Sequence, residues 1–326
     1  PYTERWSLGF QRELPSKLLL DVSYVGTAGH KLFTSSDINP RLPNGQRLFP
    51  AFGIRRVRAS EGNSIYHALQ TAVDRRFSRG FEVKAAYTFS RAIDSASEVF
   101  ATSANPANTS IPTLQGGLAL DRAVADFHRK HRFTVTYVWN VPGPTKGLLS
   151  YPLGGWRISG ITTFQSGAPY SLANGSDRNN DGLSNDRPDI GNPNAPVNTR
   201  AVIATSCSTG YRNRDTNTCV TPNDVRWIQG RGLPNSATVG RNTLFTEGVN
   251  NFDMNILKNF SITESKTLEF RLEAFNIFNH PQYTAIPEAN VVNTAEPTAS
   301  TPSRFLNPDY TNAGTRTMRM QLKFIF

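Results

Sequence analysis

The residues best suited to chemistry stand in one polar stretch, Ser176–Pro188, which reads SDRNNDGLSNDRP. Asp177, Asn179 and Asp181 alternate, and Gly182 follows. That is the oxygen-donor spacing and sharp turn with which an EF-hand calcium loop begins. Leu183 would supply its carbonyl at the seventh place and Asn185 an amide oxygen at the ninth, with Asp186 or Asp189 to complete the shell. The twelfth place holds Pro188 instead of a bidentate glutamate. The expectation is therefore a partial, structural calcium loop. An ion-free Asn/Asp/Gly turn, with Arg178 and Arg187 as counter-charges, is the alternative.

Other reactive residue types are scattered. Cys207 and Cys219 flank a polar segment without metal-type CxxC spacing, so an oxidising compartment would join them as a disulfide. His128 and His131 stand among Arg129, Lys130 and Arg132, which would repel a cation, and they read as a basic strand rim. His30, His67 and His280 are isolated. No HExxH, GxSxG or phosphate-binding glycine loop is present, and no spacing pairs a nucleophile with a base, so no enzyme is expected. Tyr170, Tyr211, Trp227 and Tyr310 could stack on a ligand, or the loops could pack on themselves.

The elements that carry these loops have a period of two. In the closing stretch Met318, Met320, Leu322, Phe324 and Phe326 share one parity, while Thr317, Arg319, Gln321 and Lys323 share the other. Phe81, Val83, Ala85, Tyr87 and Phe89 alternate with polar or small residues in the same way. Each such stretch has roughly the ten residues that a tilted strand needs to cross a bilayer. The strands come in pairs: Arg5–Leu14 with Lys17–Val25, Ile65–Phe77 with Phe81–Ser90, Arg132–Asn140 with Trp156–Gln165, then two strands around a turn near Ile262–Lys266. Helix is an alternative for Ile65–Arg76, where Leu69 and Val73 sit four apart. Glu269, Arg271 and Glu273 form a charged row that suits a hydrated lumen and not lipid.

Short turns join the members of each pair, and long loops near 26–63, 91–130, 166–249 and 279–314 separate the pairs. That asymmetry, with aromatic residues at strand ends, predicts an all-β, antiparallel transmembrane barrel of outer-membrane type, present as an incomplete barrel of about nine strands. A soluble β-sandwich is the rival, with the same rings as its core.

Composition fits this reading. The 326 residues include 20 Phe, 10 Tyr, 24 Gly and 21 Pro, which suit strands and irregular loops. Mean hydropathy is -0.41, and no apolar run is long enough for a membrane helix. Barrel strands average to such values because they alternate. The net charge of +10 is spread along strand and loop without a recognition-helix pattern, so nucleic acid is not an expected partner.

Several phrases resemble TonB-dependent outer-membrane receptors. LEFRLEAFNIFNHPQY (Leu268–Tyr283) is similar to their penultimate strand and following loop, and the strand ending on Phe326 resembles their carboxyl-terminal assembly signal. DVSYVGTAGHKL, LQTAVDRRFSRGFEVKAAYTFSRAID, DFHRKHRFTVTYVWNVP and SDRNNDGLSNDRP resemble the Oar-like branch. The resemblance implies localisation in the outer membrane and insertion by the barrel-assembly machinery. It also implies uptake of an unidentified solute, powered by the inner-membrane TonB complex through a plug region, without covalent chemistry. An Oar-type role in adhesion, secretion or envelope organisation is the alternative. Such barrels have about 22 strands, and this chain opens on Pro1 with no plug or TonB box. It is expected to be the last part of something longer.

Overall fold

The computed structural model describes residues 1–42, 44–98, 118–178, 186–231, 235–263, 265–283, 289–292 and 303–326. Nine long strands dominate: β1 (Tyr2–Leu14), β2 (Leu18–Asp37), β3 (Arg56–Ser78), β4 (Phe81–Asp94), β5 (His131–Asn140), β6 (Trp156–Gln165), β7 (Val249–Ser261), β8 (Thr267–Phe275) and β9 (Thr317–Ile325). Each pairs antiparallel with the next, so one meander runs from β1 to β9 in chain order. A continuous antiparallel meander of nine long strands is the arrangement of a barrel wall.

The register sorts side chains into two faces. On one, Phe10 pairs with Val22, Tyr87 with Phe133, Ile256 with Leu272 and Leu272 with Met320. On the other, Asp74 pairs with Lys84, Asn255 with Glu273 and Glu273 with Arg319. Two basic side chains of the polar face meet carboxylates of the same face. Lys84 lies 3.5 Å from Glu82 and 3.9 Å from Asp74, and Arg271 lies 3.0 Å from Glu269 and 3.9 Å from Glu273. The apolar face carries Leu8, Leu322 and Met320 at 66–78% exposure, which only a lipid solvent makes favourable.

Rings collect at both ends of the apolar face. Toward the long loops, Phe133, Phe164, Phe252 and Phe278 follow one another at centroid distances of 6.3, 5.4 and 5.0 Å. Tyr24 and Tyr87 each bond a histidine there, His67 at 2.7 Å and His131 at 2.8 Å. Toward the short turns stand Trp139, Trp156, Phe260 and Phe324. Two aromatic belts bounding an apolar band mark the two membrane interfaces.

Two expectations are corrected, and one alternative, helix for Ile65–Arg76, falls away. The stretch from Gly26 to Asp37 is strand rather than loop, and β3 already begins at Arg56. Glycine here signals close approach and not a break: a Cβ on Gly26 would lie 2.0 Å from the Trp6 indole, which covers that position. Register shifts beside Leu32 accommodate Lys31, at φ 54°, in a bulge. Ile65–Arg76 is strand throughout, because Leu69 and Val73 share a face under either period and the partners β2 and β4 decide the matter. The long loops, expected as irregular, contain sheets of their own.

Candidate functional site

The polar wall and the loops above it form the candidate site. Three loops, those after β4, β6 and β8, assemble into a cap on the long-loop side. Its framework is a four-stranded sheet ordered Tyr211–Asn213, Arg200–Ile203, Trp227–Ile228 and Asp189–Ile190. One apolar cluster joins Leu172, Trp227 and Val239 of the second loop to Val291 and Phe305 of the third. A second contains Ala201, Tyr211, Val225 and Ile228. Cys207 and Cys219 are linked, with Cα atoms 5.5 Å apart, closing the tip of this sheet.

Three buried arginines tie the loops together. Arg200 donates from Nη2 to Asp215 Oδ1 at 2.9 Å and from Nε to Oδ2 at 3.3 Å, a forked pair. Its Nη1 donates to the Asn290 carbonyl at 2.8 Å, and its guanidinium lies 4.4 Å from the Phe305 ring centroid. Arg187 donates to Asp121 Oδ1 at 3.1 Å and to the Leu120 carbonyl at 3.2 Å. Burial lowers its pKa and Asp121 opposes that shift, so it functions as a paired cation. Arg241 is completely enclosed. It bonds Asp94 through the carboxylate and, at 3.0 Å, the carbonyl; it also donates to the Asp121 carbonyl at 2.8 Å and Ser97 Oγ at 3.1 Å. Since Asp94 ends β4, Arg241 fastens the cap to the rim of the wall.

Below the cap lies a cavity of about 420 Å³ bordered by Thr163, Asn251, Asp253, Asn276 and Gln282. A further cavity of about 340 Å³ continues along the wall past Glu82, Ser159, Asn255 and Glu273. Asp253 and Phe275 border both, so the two adjoin along the lumen-facing wall, and Val138, Ile161 and Phe275 stand among the polar groups. Asn276 organises the mouth: its Nδ2 donates to the carbonyls of His280 at 2.7 Å and Gly314 at 2.6 Å, and its N–H to Asp253 Oδ1 at 2.9 Å. Such a surface, a few carboxylates, amides and hydroxyls set among apolar side chains, can orient a small solute reversibly.

A family model for the outer membrane beta barrel domain matches residues 1–318. The chain belongs to this family. It is an outer-membrane barrel protein, and its two-faced wall is the lipid-facing and lumen-facing surface of that barrel. It is similar to the outer membrane transporter YddB from Escherichia coli, at 7% identity and a TM-score of 0.46 over 99% of this chain and 32% of that one. It is also similar to the ferric-catecholate import receptor Fiu from E. coli K12, at 10% identity and 0.45, and to FpvA from P. aeruginosa bound to heterologous pyoverdines, at 11% and 0.41. Each of these two alignments covers 99% of this chain and 27% of the other. The barrel chain thus spans a third or less of the length of these proteins. A search of curated proteins finds no match.

The residues singled out in the sequence fare differently. Of the calcium-loop candidates, Asn179, Asp181, Leu183 and Asn185 lie outside the described residues. Asp177 and Asp186 are described; Asp186 is buried and accepts the Arg178 N–H at 2.5 Å through Oδ2. Arg187, read as a counter-charge for that loop, pairs instead with Asp121. Tyr170, Tyr211 and Trp227, for which ligand stacking and packing of the loops on themselves were the alternatives, are buried within the cap, and burial pushes the Tyr170 hydroxyl up to about 12. Tyr310 is exposed, with Arg304 4.9 Å from its ring centroid. His128 is buried and accepts the Ala92 N–H at 3.3 Å, whereas His131 stands outward beside Tyr87. Phe326 is 91% exposed and stacks on Phe324. The cap arginines were missed. Their available signal was an arginine set in an apolar run inside a loop, as in TRAVI and TVGRNTLF.

Proposed function

We propose that this chain is the carboxyl-terminal part of a TonB-dependent receptor barrel that captures a polar solute under its cap and admits it along the polar wall. The observation that carries this reading is the pair of adjoining cavities, one at Asn251, Asn276 and Gln282 and the other at Glu82, Asn255 and Glu273, roofed by a cap fixed to the rim at Asp94. Capture needs a shaped, water-excluding mouth, and release needs weak, distributed polar contacts; the cap and the wall supply one each. The step is binding followed by movement of a plug, with energy supplied by the inner-membrane TonB complex and no bond made or broken. Phe326, at the end of an outward row, is the residue that the barrel-assembly machinery would read.

The test is solute depletion. Cells expressing the full-length protein are expected to remove at least one small polar solute from defined medium, as read by mass spectrometry, and to stop doing so when TonB is deleted. Unchanged medium, together with loss of surface attachment on deletion of the gene, would replace uptake by an Oar-type adhesive role.

A further inference from the structure

The connection between β5 and β6 is unlike the other short connections on its side of the wall. Residues 141–155 read VPGPTKGLLSYPLGG, and they form a compact knot. Ser150–Leu153 makes one helical turn, Leu153 N–H donating to the Leu149 carbonyl at 3.1 Å. The chain crosses itself so closely that a Cβ on Gly143 would lie 2.4 Å from the Leu153 carbonyl oxygen. Yet this ordered knot leaves Leu148 at 88% exposure, Leu149 at 64%, Tyr151 at 53% and Leu153 at 54%. An ordered turn that faced water would not hold four large apolar side chains outward.

Its attachment gives the direction in which they face. Trp156 Nε1 donates to the Pro152 carbonyl at 2.8 Å, and Lys258 Nζ donates to the Gly154 carbonyl. Trp156 and Lys258 are register partners on the apolar, lipid-facing side, so the knot leans onto that side and away from the lumen. Lys258 also lies 5.3 Å from the Trp156 ring and 4.9 Å from the Phe260 ring. The same end of the lipid-facing side carries Arg12, paired with Leu20, and Arg75, which lies 5.1 Å from the Phe81 ring. Among the described residues, no Asp or Glu side chain shares that end of that face.

We infer that residues 144–153 are a membrane foot, lying in the interface of the periplasmic leaflet with Leu148, Leu149, Tyr151 and Leu153 in the acyl boundary. The occupant of this surface is phospholipid. The apolar patch is continuous with the lipid-facing belt at Trp139 and Trp156, and Arg12, Arg75 and Lys146 place cations at the depth of the phosphates, while the buried Lys258 fastens the connection to the wall. Short connections of an outer-membrane barrel face the periplasm, which fixes the leaflet.

The full-length protein, folded into phosphatidylethanolamine–phosphatidylglycerol vesicles, tests this with an environment-sensitive fluorophore on Leu149→Cys and, separately, on Tyr151→Cys. Leu322→Cys serves as the lipid-facing standard and Lys17→Cys as an ordinary turn. Barrel folding is read by heat-modifiable gel mobility, and only folded protein is scored. Lipid carrying a nitroxide near its headgroup is expected to quench positions 149 and 151 several-fold more than position 17 and about as much as position 322. Quenching of both positions no greater than at position 17 overturns the inference. So does a blue shift that arises only when periplasmic extract is added, which would mean a protein partner covers the patch.

Discussion

Arg241 closes on Asp94 across 147 residues of sequence, and through this pair the largest loop is fastened to the end of a membrane strand. Both side chains are almost wholly buried, so the pair is worth most as a geometric constraint, and removing one partner strands the other in a dry site.

Replacing Arg241 by Met should therefore loosen the cap by about 3–5 kcal/mol while leaving the wall intact. Limited proteolysis should cut 118–130 and 235–248 far faster than in the parent, with unchanged heat-modifiable mobility of the barrel. Asp94→Asn should cost less, because its carbonyl still accepts from Arg241.

The close approach of Trp6 to Gly26 makes a second test. Gly26→Ala should destabilise the β1–β2 hairpin by about 1–3 kcal/mol through overpacking, and Trp6→Ala in the same chain should recover most of that loss. Urea unfolding of the single and double variants in detergent checks this.

His128 predicts acid sensitivity of the cap. Burial lowers its pKa from 6.5, and Arg129, Arg91 and Lys130 lower it further. Asp126 and Asp94 pair with Arg241, and Ala92 donates its N–H to the imidazole. The unfolded cap takes up this proton first, so the contribution is complete above about pH 6.5 and declines as pH falls toward the lowered native value. Protection factors at Ala92 and Ser90, exchange rates corrected for the intrinsic pH dependence, should fall as pH drops below about 6.5 in the parent, and His128→Gln should flatten that dependence.

The segment from Asp177 to Asp186 supplies a fourth prediction. Proteolysis at 177–186 should be slower in millimolar calcium than in chelator, and Asp177→Ala with Asp186→Ala should abolish the difference. An unchanged rate after chelation would leave an ion-free turn, with Asp186 serving only to accept the Arg178 N–H.

What could be read from the sequence, and what could not, divides along physical lines. The wall was legible because lipid on one side and water on the other impose a period of two, as in Phe81–Ser90 and Thr317–Ile325. Beyond the membrane that constraint ends. Gly26–Asp37 is strand without clean alternation, and its glycines mimic a loop while making room for Trp6 and the β3 backbone. The cap was illegible for another reason. Its interior is made by contacts between distant loops, such as Arg200 with the Asn290 carbonyl and Trp227 with Val291, and nothing local marks those partners. Arg187 shows the consequence, since its sequence neighbours suggested a counter-charge for an ion-free turn and its salt-bridge partner is the distant Asp121.

One face of this wall meets lipid and the other a hydrated lumen. Cysteines introduced one at a time from Phe81 to Ser90 in the full-length protein, in intact outer membranes, test it with a small water-soluble thiol reagent. Labelling is predicted at Glu82, Lys84, Ala86 and Thr88 and protection at Val83, Ala85, Tyr87 and Phe89; uniform labelling, or uniform protection, along the strand would contradict it.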